Sequence, residues 1–325
     1  MFDPLTRRQW MKTALVTVAG AAGFAKAAYA AEASAAAAKE APLFPFYAMD
    51  TGLRGPDVPT VEAQAALVKK LGYTGIDFGL GPKLPQQLEQ LDKQGLQLWA
   101  VYLTPSLEAG LPANLAESVK LMKGRPTRIE LAIGSKQFKP SDAAGDAKAV
   151  EMLKRASDMA ADTGPVISVY PHRNSWTERV DDGVRLARQA GRKNVGTNFN
   201  LVHWKWLPQT KSLEALLAEA MPHLMAVTIN GMAGAQIVPL DEGDYDVTEF
   251  MTTVKKVGYR GPVGFQGYGI KGNSEEILSR TMKKWREIMA KISGVMMPIR
   301  PTWESPSDCF SKLMAMTMSY MPEAM

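Results

Sequence analysis

The chain has 325 residues, 46% of them hydrophobic and 22% charged, a composition that can bury a full core and excludes a low-complexity or disordered chain. The net charge of +5 sits largely at the start, where Arg7, Arg8, Lys12 and Lys26 oppose only Asp3, leaving about +2 for the remainder and no nucleic-acid or membrane-surface footprint. The only cysteine, Cys309, excludes an intrachain disulfide.

The first thirty residues form a targeting segment. Thr6-Arg7-Arg8-Gln9-Trp10-Met11-Lys12 resembles the twin-arginine export motif, residues 14–22 are a short apolar core, and Ala28-Tyr29-Ala30 gives the small-x-small pattern of a cleavage site. The apolar run is well under the ~20 residues of a spanning helix. The expectation is a signal peptide over 1–30, export by the twin-arginine route to the periplasm or another extracytoplasmic site, and a mature chain with no membrane span. Residues 31–42 read as an Ala-rich linker.

From residue 43 the patterning alternates. Strands are predicted over 44–49, 72–78, 96–103, 127–133, 166–170, 195–199, 224–229 and 263–266. Helices are predicted between and after them, over 60–71, 84–94, 113–123, 141–162, 176–190, 212–220, 247–257 and 274–292, with Thr60 and Ser141 as N-caps and Gly95, Gly191 and Gly258 as stops. Eight strand-helix units over 43–292 predict an α/β fold, a (β/α)8 TIM barrel. An open doubly wound sheet would carry a Gly-rich turn after its first strand, and Phe46-Tyr-Ala-Met-Asp50 has none. Residues 293–325 lose the pattern and read as an irregular C-terminal tail.

In such a barrel the C-terminal strand ends share one mouth, so the residues that follow each strand nominate the site. They include Asp50, Asp77, Tyr170 with His172, Asn200 with His203, Asn230, and Gln266 with Tyr268. Amides and aromatic rings suit a small polyhydroxylated ligand. His172 and His203 are the acid/base candidates, with Glu178 a third unless it only complements a helix dipole. Trp176 and Trp204 either stack on a sugar or pack the core, and Asp50 and Asp77 either contact ligand or shape turns. Glu130 reads as a buried ion pair or a site residue. The Gly267-Tyr268-Gly269 loop ahead of a helix opened by Asn273 or Ser274 is a phosphate candidate, and 241–246 an acidic loop with a minor claim to calcium. No Ser or Cys sits in a nucleophile elbow.

Tyr73-Thr-Gly-Ile-Asp77, Gly196-Thr-Asn-Phe-Asn-Leu-Val-His203 and Gly261-Pro-Val-Gly-Phe-Gln266 resemble the xylose-isomerase-like, sugar phosphate isomerase/epimerase superfamily, whose barrel is shared with the family-2 apurinic endonucleases. The resemblance implies proton transfer next to a sugar carbonyl, assisted by a divalent ion that carboxylates and a His hold at the ends of strands five to eight. The chain keeps His203 but has Tyr170, Asn200, Asn230 and Gln266 where the family carries acidic ligands. The neutral amides remove the charge that would hold a hard cation. A different metal site on His172, His203 and Glu178 or Asp241 stays open as a weak candidate.

The sequence therefore predicts an exported, sugar isomerase/epimerase-like barrel acting on a small carbohydrate or sugar derivative, with no nucleic-acid partner and no certain cofactor. Its alternative is a carbohydrate-binding barrel without catalysis. Endonuclease activity fits poorly, because it needs several metal-binding His and acidic residues.

Overall fold

Strands apolar on both faces must be covered on both faces, and parallel strands joined by helices achieve this by closing on themselves. The structure, a computed structural model, describes residues 43–294. The segments expected to be a signal peptide and a linker, Cys309 and nearly all of the expected tail lie outside the described residues. Eight parallel strands close into a barrel: β1 (Phe46–Met49), β2 (Gly75–Gly79), β3 (Gln97–Leu103), β4 (Arg128–Leu131), β5 (Val166–Val169), β6 (Val195–Asn200), β7 (Leu224–Ile229) and β10 (Val263–Phe265). β10 pairs with β1 in the register Phe46 to Val263, which shuts the ring. An antiparallel hairpin, β8 (Gly231–Ala233) and β9 (Gln236–Val238), interrupts the connection after β7.

The outer helices are α1 (Val61–Leu71), α2 (Leu84–Gln94), α3 (Leu115–Leu121), α4 (Asp146–Ala160), α5 (Val180–Ala190), α6 (Leu201–Lys205), α7 (Leu213–Ala220), α8 (Val247–Lys256) and α9 (Ser274–Ser293). Thr60 caps α1 as its residue type demands, and Gly72, Gly95 and Gly191 end their helices in the left-handed conformation. Among the described residues no helix is long and apolar enough to cross a membrane.

Two helix starts and two elements differ from the sequence reading. α4 starts at Asp146, because Ser141 has φ +61° and its hydroxyl donates to Asp182 Oδ2 at 2.7 Å instead of capping. α5 starts at Val180, because the same carboxylate accepts from the backbone N–H of Glu178 and Arg179 and holds 176–179 as a loop. α6 and the hairpin were not anticipated.

The barrel interior is mostly polar. β1 and β4 are not neighbours in the ring, so a bond between their side chains crosses the interior: Arg128 Nη2 donates to the Tyr47 hydroxyl at 2.9 Å. Arg128 Nε also donates to Glu130 Oε1 at 3.1 Å, where Asn198 Nδ2 joins it at 2.6 Å, and Ser168 donates to Asn198 Oδ1 at 2.7 Å. Glu130 is thus the buried partner of Arg128, both almost fully enclosed. Gly264, in register with Tyr47, has no side chain because a Cβ there would lie 2.4 Å from the Tyr47 ring. This charged layer is the floor on which the mouth stands.

Candidate active site

Above the floor, a cavity of about 200 Å³ opens among the C-terminal strand ends. Its lining includes Asp50, Asp77, Tyr170, His172, Gln266 and Tyr268, so six of the nominated residues share one space. Arg54 and Tyr102 also line it. Arg54 was missed because it lies five residues beyond the end of β1, and its pairing with Asp50 at 3.3 Å brings it back over the mouth.

Asn200 ties the other side of the mouth together. Its Nδ2 donates to the Tyr170 hydroxyl at 2.5 Å and to Gln266 Oε1 at 2.8 Å, while its Oδ1 accepts the backbone N–H of His203 and so caps α6. An Asn ahead of an apolar run is an N-cap signal, and it is what the sequence offered for this short helix. Asn230 Nδ2 donates to the Gly231 carbonyl at 2.8 Å, leaving its buried Oδ1 without a partner.

The two histidines are in contact, ring centroids 4.1 Å apart and planes tilted by 45°. His172 Nδ1 is 2.7 Å from the Arg173 carbonyl, an acceptor only, so Nδ1 carries the proton and Nε2 is left with its lone pair. Burial lowers the His172 pKa below the usual imidazole value. His203 sits behind it, 3% exposed and not on the cavity wall, with Nδ1 accepting the Arg173 backbone N–H at 3.4 Å and Nε2 buried without a partner. Burial first, then the neighbouring His172 and Arg173, pull its pKa down to about 3, so it is neutral at physiological pH. Across the cavity, burial pushes the Asp77 carboxyl well above the ordinary range, helped by Glu130 and Asp50, and its Oδ2 has no partner.

Three nominated residues lie elsewhere. Trp176 is buried in the outer core, its indole N–H donating to the Asp142 carbonyl at 3.0 Å, because 176–179 fold down outside the barrel. Trp204 packs on Phe199, since α6 turns this face outward from the strands. Glu178 accepts the Asn174 N–H at 3.3 Å and borders, with Trp204, a crevice of about 10 Å³, room for one water at most. The acidic loop is also spoken for: Arg280 pairs with Asp241 and Glu242, and Asp246 caps α8.

The model of the xylose isomerase-like TIM barrel family matches residues 65–288. The chain belongs to this family. Among solved structures it is similar to D-allulose 3-epimerase from Methylomonas sp., with 14% identity and a TM-score of 0.63 over 76% of this chain and 98% of that one. It is also similar to the 3-keto-D-glucoside 4-epimerase YcjR from E. coli, 15% identical with a TM-score of 0.62 over 75% and 99% of the two chains. The IOLI protein, solved with a zinc atom, gives 14% identity and a TM-score of 0.61 over 77% and 99%. A search of curated proteins finds no match. At these identities the likenesses establish the fold.

A divalent ion of the kind this family carries needs anionic oxygens or free imidazole nitrogens at the ends of β5, β6, β7 and β10. Here Asn200 presents its N–H2 to the centre and has spent its oxygen on α6, while His203 has spent Nδ1 on Arg173 and must carry a proton on Nε2. Among the described residues no three His, Cys, Asp or Glu side chains are grouped to hold a metal. The donor set at this position does not fit the ion.

Proposed function

We propose that this barrel is an exported sugar epimerase or isomerase that moves a proton at the carbon beside a sugar carbonyl, using His172 and Asp77 in place of a metal centre. The observation that carries the reading is the placement of His172 and Asp77 around one cavity, where burial displaces their pKa values in opposite directions. Such pairs mark acid and base roles. His172 Nε2 takes the C–H proton and Asp77, its carboxyl pKa raised by burial, donates to the carbonyl oxygen to give an enediol; the Asp77 carboxylate then takes the proton of the hydroxyl on the first carbon as His172 returns its proton to the former carbonyl carbon, which gives the isomer. Tyr170 and Gln266 orient hydroxyls, and Asp50 with Arg54 edges the entrance. His203 is a positioning residue, holding the Arg173 backbone whose carbonyl orients His172. The family membership and the epimerase neighbours support a sugar as substrate.

Proton exchange from D2O into candidate ketoses and keto-glycosides, followed by NMR, tests this. Wild type exchanges the proton beside the carbonyl, and His172→Ala lowers the rate by ~100-fold or more. Sugar binding without exchange in wild type would overturn the catalytic reading and favour a binding barrel, a reading that the interlocked amides of Asn200 and Gln266 also support. Export by the twin-arginine route rests on the N-terminal motif, and a reporter fused behind residues 1–42 should lose export in the paired Arg7→Lys, Arg8→Lys variant.

A further inference from the structure

A second cavity, of about 470 Å³, adjoins the first and shares Thr51, Arg54 and Tyr268 with it. Its far wall is the β10–α9 loop, with Ile270 and Lys271, and its near wall the segment after β1, with Pro56. The two walls approach closely at Gly267, where a Cβ would lie 2.7 Å from the Gly52 backbone, so the cleft has a rigid base. The cavity above the strand ends is below the ~300–1,000 Å³ of ordinary ligand pockets, whereas the two together fall well inside that range. At their junction stands Tyr268, 59% exposed, which with Leu121 makes up the exposed large hydrophobic residues among the described part of the chain.

A phosphate would seek the N-terminus of α9 beside this cavity, but the chain supplies its own anion there. The Asp57 carboxylate accepts the backbone N–H of Ser274 at 2.8 Å and of Glu275 at 2.9 Å, and Asn273 Oδ1 accepts that of Glu276 at 3.1 Å. The phosphate candidate read from the glycine loop is therefore filled by a side chain, and a second anion would meet the Asp57 charge.

We propose that the substrate is an unphosphorylated glycoside, its keto-sugar unit over His172 and Asp77 and its second unit in the adjoining cavity, stacked on Tyr268 with Lys271 and Arg54 donating to its hydroxyls. This rests on the reading of the mouth as a keto-sugar site. An exposed ring edged by cations is what a pyranoside face requires, and a free monosaccharide leaves it uncovered.

Three ketoses that differ only at the 6-position separate the alternatives: D-fructose, D-fructose 6-phosphate and 6-O-glucosyl-fructose, with binding measured by calorimetry on the mature protein. The glucosyl-ketose should bind at least ~10-fold more tightly than fructose, and the phosphate no more tightly than fructose. Tyr268→Ala and Lys271→Ala should each shrink the ratio of the two neutral affinities, with far-UV circular dichroism confirming the fold. Equal affinities for the two neutral sugars, or a preference for the phosphate, overturns the glycoside proposal while leaving the keto-sugar reading standing. Failure of all three to bind overturns both.

Discussion

The two sides of the barrel mouth use the same kinds of side chain to opposite ends. On the β5–β6 side, Asn200 bonds Tyr170, the backbone of α6 and, across the mouth, Gln266, and His203 Nδ1 accepts the Arg173 N–H while its buried Nε2 keeps no partner. On the β1–β2 side, Asp77 keeps an unpartnered oxygen, and the space continues past Arg54 and Tyr268 into the larger cavity. The first side is largely closed by the bonds of Asn200, although Tyr170, His172 and Gln266 still face the cavity, and the larger space opens on the second side. A polar residue at a strand end is therefore not evidence of ligand contact until its own bonds are counted.

The largest expected effect that tests this contrast is on stability in acid. His203 is held neutral with a folded pKa of about 3 against an ordinary value of 6.5, so the unfolded chain binds its proton first as pH falls. The sign follows: its contribution is complete above about pH 6.5 and is lost progressively down to about pH 3, amounting to as much as about 4 kcal/mol at ~1.4 kcal/mol per unit. His172 acts in the same direction. Urea denaturation across this range should show the loss, and His203→Gln should flatten it; a wild-type curve with no slope there would mean that the closed side is not closed.

Removing the knot of the closed side comes next. Asn200→Ala strips the donor from Tyr170 and Gln266 and the cap from α6, and should cost about 2–3 kcal/mol by equilibrium unfolding. Acidic side chains at the same place should create a metal site: the Asn200→Asp, Asn230→Asp, Gln266→Glu variant should take up Mn in calorimetry, whereas wild type should retain less than roughly a tenth of an equivalent. The smallest effect belongs to the open side. Asp57→Ala removes the acceptor of two helix N–H groups and should cost about 1 kcal/mol, and the melting temperature of the variant should then rise with added phosphate more than that of wild type.

The architecture was legible because it depends on periodicity, which is a local property. The predicted helix over 84–94 and strand over 224–229 match α2 and β7, since a glycine stop or a β-branched run leaves little choice of boundary. The segment 171–179 was not legible as structure: Trp176 stands only six residues past Tyr170, yet its destination is set by Asp182 in the helix that follows and by Ser141 from the preceding unit. Of the site, Asp50, Asp77, Tyr170, His172, Gln266 and Tyr268 came together as strand-end residues must in a barrel. Asn200 falls at the end of β6 as expected and His203 just past it in α6, but that their polar atoms are turned to the α6 backbone and to Arg173 is invisible in sequence.

What the amino-acid sequence determined by itself is the alternation of strand and helix, hence the barrel and the end at which polar residues collect, because side-chain period and turn chemistry act over a few residues. What only the tertiary structure decided is which of those polar groups have partners. Burial and bonding across strands far apart in the chain displace the pKa values of His172, His203 and Asp77, fill the helix N-terminus with Asp57, and leave an open cavity among the strand ends, because hydrogen bonds and desolvation depend on neighbours in space.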